Sequence, residues 1–357
     1  MKSLFVIVLV IVFVSQSATK CYIKAITQRV GIGEYACITH PCAMPGDDVQ
    51  YVQEFSDVYV WGEGMIITLD GTLLMLRHVP LWDGLSLPIS IPGDVVFEEY
   101  GGTIAVLSTV WQDSWYHWLF DLLSRLYILQ QSGLEYDCIH IYGVTRTYMA
   151  DAQQKSLRAV FDYLGIPWQK VRFVGKNVCL HTRKVLRPSY PYASQNVWKF
   201  PLWVRDFLRN VFLVNDIDQK VYSSQVYISR ADAPGRRVAN EEKLMELLAA
   251  SGFKRVVLSQ HTPHEQAAIF NHASVVVAQH GSALANVVYC KPGTRILEID
   301  SKLIKPRMHF KALSEICGLE YKKFEHGAIG QNWHDDQHHC DTIVIDIPEF
   351  AKCLKEL

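Results

Sequence analysis

Apolar residues follow two rhythms along this chain. Between about residues 50 and 110 they fall in short runs, Val58-Tyr59-Val60-Trp61, Met65-Ile66-Ile67-Thr68 and Leu73-Leu74-Met75-Leu76. Runs of this length bounded by turn residues read as strands. Asp70-Gly71 between two of them predicts a β-hairpin, because both residues tolerate a tight turn. A further strand over 103–110 leads into the first helical rhythm. From about 113 to 131, Trp115, Trp118, Leu119, Leu122, Leu123, Leu126 and Leu129 recur at helical spacing and make one apolar face. His117, Asp121 and Arg125 stand at i, i+4 and i+8, a polar stripe beside that face.

The second half is more regular. A strand is predicted over 138–144 and a helix over 152–164, stopped by Gly165 and Pro167. Strands at 171–174 and 178–186 and a helix around 203–213 follow. Polar residues cluster at 215–220, the expected domain boundary. Then come a strand (226–229), a basic loop (230–239) and a helix over 241–250 with Asn240 as its N-cap. A strand over 256–258 precedes Thr262-Pro263-His264-Glu265, a capping box with Pro at the first helical position. An apolar strand (274–278), a short helix opened by His280-Gly281 and a strand at 295–299 complete a βαβαβαβ alternation. Such alternation predicts an α/β fold with a parallel sheet covered on both faces.

The 357 residues suit about two domains. Thirty-five Lys+Arg against 36 Asp+Glu give a net charge of −1, without the basic excess of a dedicated nucleic-acid binder. A hydrophobic fraction of 49% excludes global disorder. The nine cysteines are scattered and form no CxxC pair, which argues against a zinc ribbon or a thioredoxin-like centre. Cys37 and Cys42 are the expected local disulfide in an oxidising compartment. Lys2, the apolar run 4–14 and the small polar residues 15–18 predict a secretory signal peptide or an uncleaved anchor over 1–18.

Candidate chemistry concentrates in two places. In an open α/β sheet, ligands bind beyond the carboxyl ends of the strands. The strand–His280-Gly281-Ser282–helix junction lies at such an end, with a glycine for close approach and helical N–H groups for an anion. Arg230, Arg236 and Arg237 follow the 226–229 strand and should share that edge, a set suited to a diphosphate, while Glu298 could bind ribose hydroxyls. The second place is the 117/121/125 stripe, which reads either as a base with its orienting partner or as a surface ion pair. Three other motifs sit in unfavourable contexts. Gly31-Ile32-Gly33-Glu34-Tyr35-Ala36 fits a dinucleotide fingerprint, but Pro41 and Pro45 follow too soon for the required helix. Asp216-Ile217-Asp218 falls at the boundary and reads as linker, and His334-Asp335-Asp336-Gln337-His338-His339 has histidines at i and i+4 but no third ligand at recognisable spacing, so it reads as a polar loop.

The stretches VYISRADAPGRRVANEEKLMELLAASGF and HTPHEQAAIFNHASVVVAQHGSALANVVYCKPGTRILEID resemble glycosyltransferase family 61. The segment WYHWLFDLLSRLYIL at 115–129 resembles that family's His-Trp…Asp signature, and the strand at 342–346 with the helix at 347–357 is also similar. The resemblance implies a GT-B-like architecture, two Rossmann-like lobes facing across a cleft. An N-terminal acceptor-side lobe would span 19–215 and a C-terminal nucleotide-sugar lobe 216–357, leaving the last helix able to pack back on the first lobe. It implies inverting transfer of a sugar, GlcNAc or xylose, from a UDP-sugar to a hydroxyl of a glycan or protein acceptor, with no metal and no cofactor. Donor positions would be Arg230, Asn240, His280, Gly281, Ala283, Leu284, Asn286 and Glu298, with Ser282 where Ala is common and Arg237 on the diphosphate. His117 or Asp121 would be the base, and Arg125 would hold that pair or a phosphate. The implied compartment is the secretory route: the ER or Golgi lumen in a eukaryote, the envelope or exterior in a bacterium. Two rivals are a non-catalytic sugar- or nucleotide-binding protein on the same fold and a metal-dependent GT-A-like transferase centred on Asp216 and Asp218. A nicotinamide oxidoreductase is the weakest alternative.

Overall fold

A computed structural model describes residues 38–46, 49–69, 71–74, 86–88, 92–109, 112–143, 150–192, 200–213, 222–233, 235–301, 308–326 and 342–357. The leader at 1–18, the 31–36 motif, Cys37, the 215–220 boundary with Asp216 and Asp218, and the 334–339 histidines lie outside these residues. The Cys42 thiol is buried and not in a disulfide; it points at the Ile128 carbonyl oxygen, 3.6 Å away.

Among the described residues, the first sheet contains nine strands: β1 (Ile38–Ala43), β2 (Val49–Trp61), β3 (Met65–Thr68), β4 (Thr72–Leu74), β5 (Ser86–Pro88), β6 (Val96–Val106), β7 (Cys138–Tyr142), β8 (Val171–Val174) and β9 (Val178–Pro188). Their order is β5-β4-β3-β2-β9-β6-β7-β8, with β1 pairing β2 as well. The predicted hairpin forms between β3 and β4, with Gly71 at φ 83° and its N–H on the Thr68 carbonyl. This sheet differs from the Rossmann-like expectation. Only β9, β6, β7 and β8 run parallel, whereas β1 to β5 add an antiparallel half. Strand β9 joins the halves, antiparallel to β2 and parallel to β6. β7 is buried on both faces, as a central parallel strand must be.

Helical segments cover one side. α1 (Trp115–His117), a wide π-helical turn (Trp118–Leu123) and α2 (Ser124–Gln131) replace the single regular helix predicted over 113–131. The Ser124 hydroxyl donates to the Leu119 carbonyl five residues back, within the wide turn. α3 (Ala150–Leu164) ends at Gly165 in the left-handed region, and α4 (Leu202–Phe212) follows.

The second sheet is fully parallel and matches the sequence reading closely. It contains β10 (Gln225–Ser229), β12 (Lys254–Val257), β13 (Val275–Gln279), β14 (Arg295–Ser301) and β15 (Glu320–His326) in the order β12-β10-β13-β14-β15. A small separate pair joins β11 (Arg237–Val238) to β16 (Thr342–Ile343). Helices α5 (Glu241–Ala250), α6 (Pro263–His272), α7 (His309–Cys317) and α8 (Ile347–Lys355) connect and cover the strands. The Thr262–Glu265 capping box is fully formed at the start of α6. A 3-10 helix (Ser282–Tyr289) follows β13.

One apolar core runs through both sheets' helices, including Trp118, Leu126, Phe207, Leu284, Val287 and Phe310. The opposite face of the second sheet is closed by α5 and α8, where Tyr227, Leu244, Val277 and Phe350 meet. The C-terminal helix therefore packs on the second sheet rather than returning to the first, because its apolar face is already matched by α5. Among the described residues no helix is long and apolar enough to cross a membrane.

Candidate active site

In the second sheet the winding direction reverses between β10 and β13, which opens a crevice at their carboxyl ends. Ser229 ends β10 and Gln279 ends β13, so Arg230 and His280 stand on either side of that crevice. A cavity of about 90 Å³ lies there, lined by Arg230, Ser282, Ala283, Gln266, Asn286 and Trp115 among others. A second cavity of about 120 Å³ shares Ser282 with it. Its walls include Tyr116, His117, Arg236, His280, Gly281 and His309, so residues following β6 and β13 face one space.

Arg230 is held by the Gly235 carbonyl, at 3.3 Å from Nε and 3.1 Å from Nη2. Its Nη1 end covers Gly281, where an added Cβ would collide with it. Arg236 adopts a φ of 57°, a left-handed conformation uncommon for a residue with a side chain, and lines the second cavity. Arg237, expected on the diphosphate, is exposed, donates from Nε to the Ala233 carbonyl and borders neither cavity. The left-handed turn at Arg236, just before β11 begins at Arg237, sends the two side chains different ways.

His117 Nδ1 lies 2.7 Å from Asp121 Oδ2. The carboxylate accepts this bond from Nδ1, so in a neutral imidazole Nε2 is the nitrogen with the lone pair. Asp121 is 1% exposed and the His117 side chain 22%. Arg125 belongs to a different environment. It is fully buried, and its guanidinium donates to the carbonyls of Val106, Leu107, Ser108 and Pro188. Burial lowers its pKa, countered by Tyr190 and Asp121. It fixes the helix to the strand ends and has no route to a phosphate.

Three further donor assignments are corrected. Asn240 takes the N-cap position of α5 but makes no capping bond. Its amide instead clasps residue 345, donating to the Ile345 carbonyl at 2.8 Å and accepting from its N–H at 2.9 Å. The Leu284 side chain is wholly in the core. Glu298 is fully buried beneath the cavity, and its carboxylate accepts from His280 Nδ1 and from the Tyr321 hydroxyl, so it does not reach a ribose. Burial, then the charge of Glu298, raises the Tyr321 pKa. Asn286 is buried too. Its Oδ1 accepts from Trp115 Nε1 at 3.1 Å, which ties the first turn after β6 to the helix after β13.

His280, Glu298 and Asp300 bring metal-type ligand atoms within 4.8 Å of one another. The Lys323 ammonium sits 3.0 Å from Asp300, and the Tyr321 hydroxyl donates to Glu298. The two carboxylates thus already face hydrogen-bond donors and an ammonium. Local pattern gave no signal for Tyr116, His309 or Gln266 as cavity residues. The only hint was the Trp-rich face for Trp115 and the basic loop for Arg236.

This geometry defines the general class: an α/β protein whose pockets sit at the switch point of a parallel sheet. The family follows from the sequence itself, since a family model described as Glycosyltransferase 61 matches residues 115–297, just over half of the chain. The chain belongs to glycosyltransferase family 61 and is a glycosyltransferase enzyme. No curated protein matches it.

Proposed function

We propose that this enzyme transfers GlcNAc or xylose, with inversion, from a UDP-sugar to a hydroxyl of a glycan or protein acceptor, on a GT-B-like pair of lobes in the secretory route. The nucleotide enters the crevice beside Arg230, and the diphosphate lies against Gly281 and Ser282. The sugar then extends into the cavity that His117 lines. The observation that carries this reading is that His117, backed by buried Asp121, shares one cavity with Arg236, His280 and Gly281.

In the reaction, His117 Nε2 takes the proton of the acceptor hydroxyl as its oxygen bonds to the anomeric carbon. The bond from that carbon to the diphosphate oxygen breaks on the opposite face, and the electron pair leaves with UDP. Arg230 and Arg236 stabilise the leaving charge, and Asp121 stabilises the imidazolium. Of the two candidate bases, His117 is favoured because Asp121 is buried away from the cavity. His117→Ala and Asp121→Asn should lower kcat by about 10²-fold or more while leaving UDP affinity nearly intact. The measurement is UDP release from UDP-GlcNAc and UDP-xylose with an acceptor mixture, with and without EDTA, alongside calorimetric UDP binding. Full turnover in both variants would reject the assignment, and loss of turnover in EDTA would reject transfer without a metal.

A further inference from the structure

His117 sits on a turn pinned from two sides by tryptophans. Trp118 Nε1 donates to the Ser156 hydroxyl of α3 at 2.8 Å, which fixes the turn to the helices of the first sheet. Trp115 Nε1 donates to Asn286 Oδ1 at 3.1 Å, 171 residues further along the chain, on the 3-10 helix after β13. Asn286 is wholly buried, and its amide N–H groups go to the Ala283 carbonyl at 3.1 Å and to Gln266 Oε1 at 3.3 Å. Gln266 in turn donates to the carbonyls of Leu258 and His261. Asn286 thus has both its N–H groups and its oxygen engaged within the protein. The chain Gln266–Asn286–Trp115 begins in the wall of the crevice and ends at the one-turn helix α1, which carries His117.

We infer that Trp115 and Asn286 are positioning residues of the sugar transfer: their bond keeps the His117 imidazole in register with the crevice that holds the donor. This inference rests on the proposed function. Trp115 lines the crevice cavity and His117, two residues on, lines the adjoining one, so a shift of the indole passes directly to the base. A displacement of about 1 Å at a reacting group can cost about 10²-fold in rate. Arg230 and Gly281, which the proposed function places on the diphosphate, take no part in these bonds, so nucleotide affinity should hold when the clamp is cut.

The experiment places Trp115→Phe, which keeps an aromatic ring and removes the N–H, in the wild-type and the His117→Ala backgrounds. It measures kcat and donor KM with the UDP-sugar that wild type turns over, UDP-GlcNAc or UDP-xylose, alongside calorimetric UDP affinity and melting temperature. The expected result in the wild-type background is a kcat about tenfold lower, with donor KM and UDP affinity within about twofold. In the His117→Ala background the further loss should stay below about twofold, because a residue that acts through His117 has nothing left to position. Asn286→Ala breaks the same bond from its other end and should repeat the pattern, so a Trp115→Phe that fails to fold does not end the test. An equal fold-loss in both backgrounds overturns the inference, since a general structural defect would give it. So does a kcat within about twofold of wild type, or a loss confined to UDP affinity. Full turnover in His117→Ala, or a wild type that turns over neither UDP-sugar, instead removes the underlying reading, and this one with it.

Discussion

Gly281 has an extended backbone, φ 164°, which any residue can adopt. Its missing side chain is therefore a matter of space: Arg230 Nη1 occupies the position where a Cβ would stand. Gly281→Ala should push the guanidinium off the crevice and weaken UDP binding about tenfold with little change in melting temperature, because the arginine end is flexible. Calorimetry on the variant checks this, and unchanged affinity would detach Arg230 from the diphosphate. Asn240 makes the opposite case. Removing its amide in Asn240→Ala loses both bonds to residue 345, a cost of roughly 2 kcal/mol. Denaturant titration should show that loss while UDP affinity holds.

At the scale of elements, what was legible followed local chemistry. The Thr262–Glu265 box, the Asp70-Gly71 hairpin and the helix stop at Gly165 each depend on a few adjacent residues, and each forms. Thr262→Ala should accordingly cost about 1 kcal/mol in a chemical denaturation series. Three features had no local signal. The wide turn over 118–123 keeps the same apolar face as a regular helix, so periodicity cannot register it. Strand β9 pairs with β2 and β6, partners about 80 to 130 residues earlier in the chain, and nothing in 178–188 encodes that choice. The contrast between Arg236 and Arg237 turns on one left-handed residue in a loop. The strand pattern shows Glu298 near the end of β14, but its burial beneath His280 depends on Tyr321 from the next strand.

Across the whole molecule, the two sheets are bound by a common apolar core, and a buried histidine makes that assembly sensitive to acid. His140 on β7 is fully buried, with Nδ1 3.0 Å from the Ser108 hydroxyl, and desolvation pushes its pKa down to about 4. The unfolded chain takes up a proton near pH 6.5 while the native state does not. Stability from this residue is thus complete above pH 6.5 and falls as pH drops toward 4, by roughly 3 kcal/mol in all. Glu63, raised to about 7 by burial and Asp113, works in the opposite direction over the same range. The contrast between wild type and His140→Asn is therefore the test: urea midpoints at pH 7.5 and 4.5 should separate more in the wild type. Equal separations would mean that His140 is protonated in the native state.

Arg125 imposes an order on assembly. Its guanidinium needs carbonyls at the end of β6 and also at Pro188, the last residue of β9. A nascent polypeptide or proteolytic fragment ending before Pro188 would leave a buried cation short of an acceptor beside His117 and Asp121. Catalytic competence should therefore arise only after synthesis has passed the end of β9, so that incomplete products remain chemically silent.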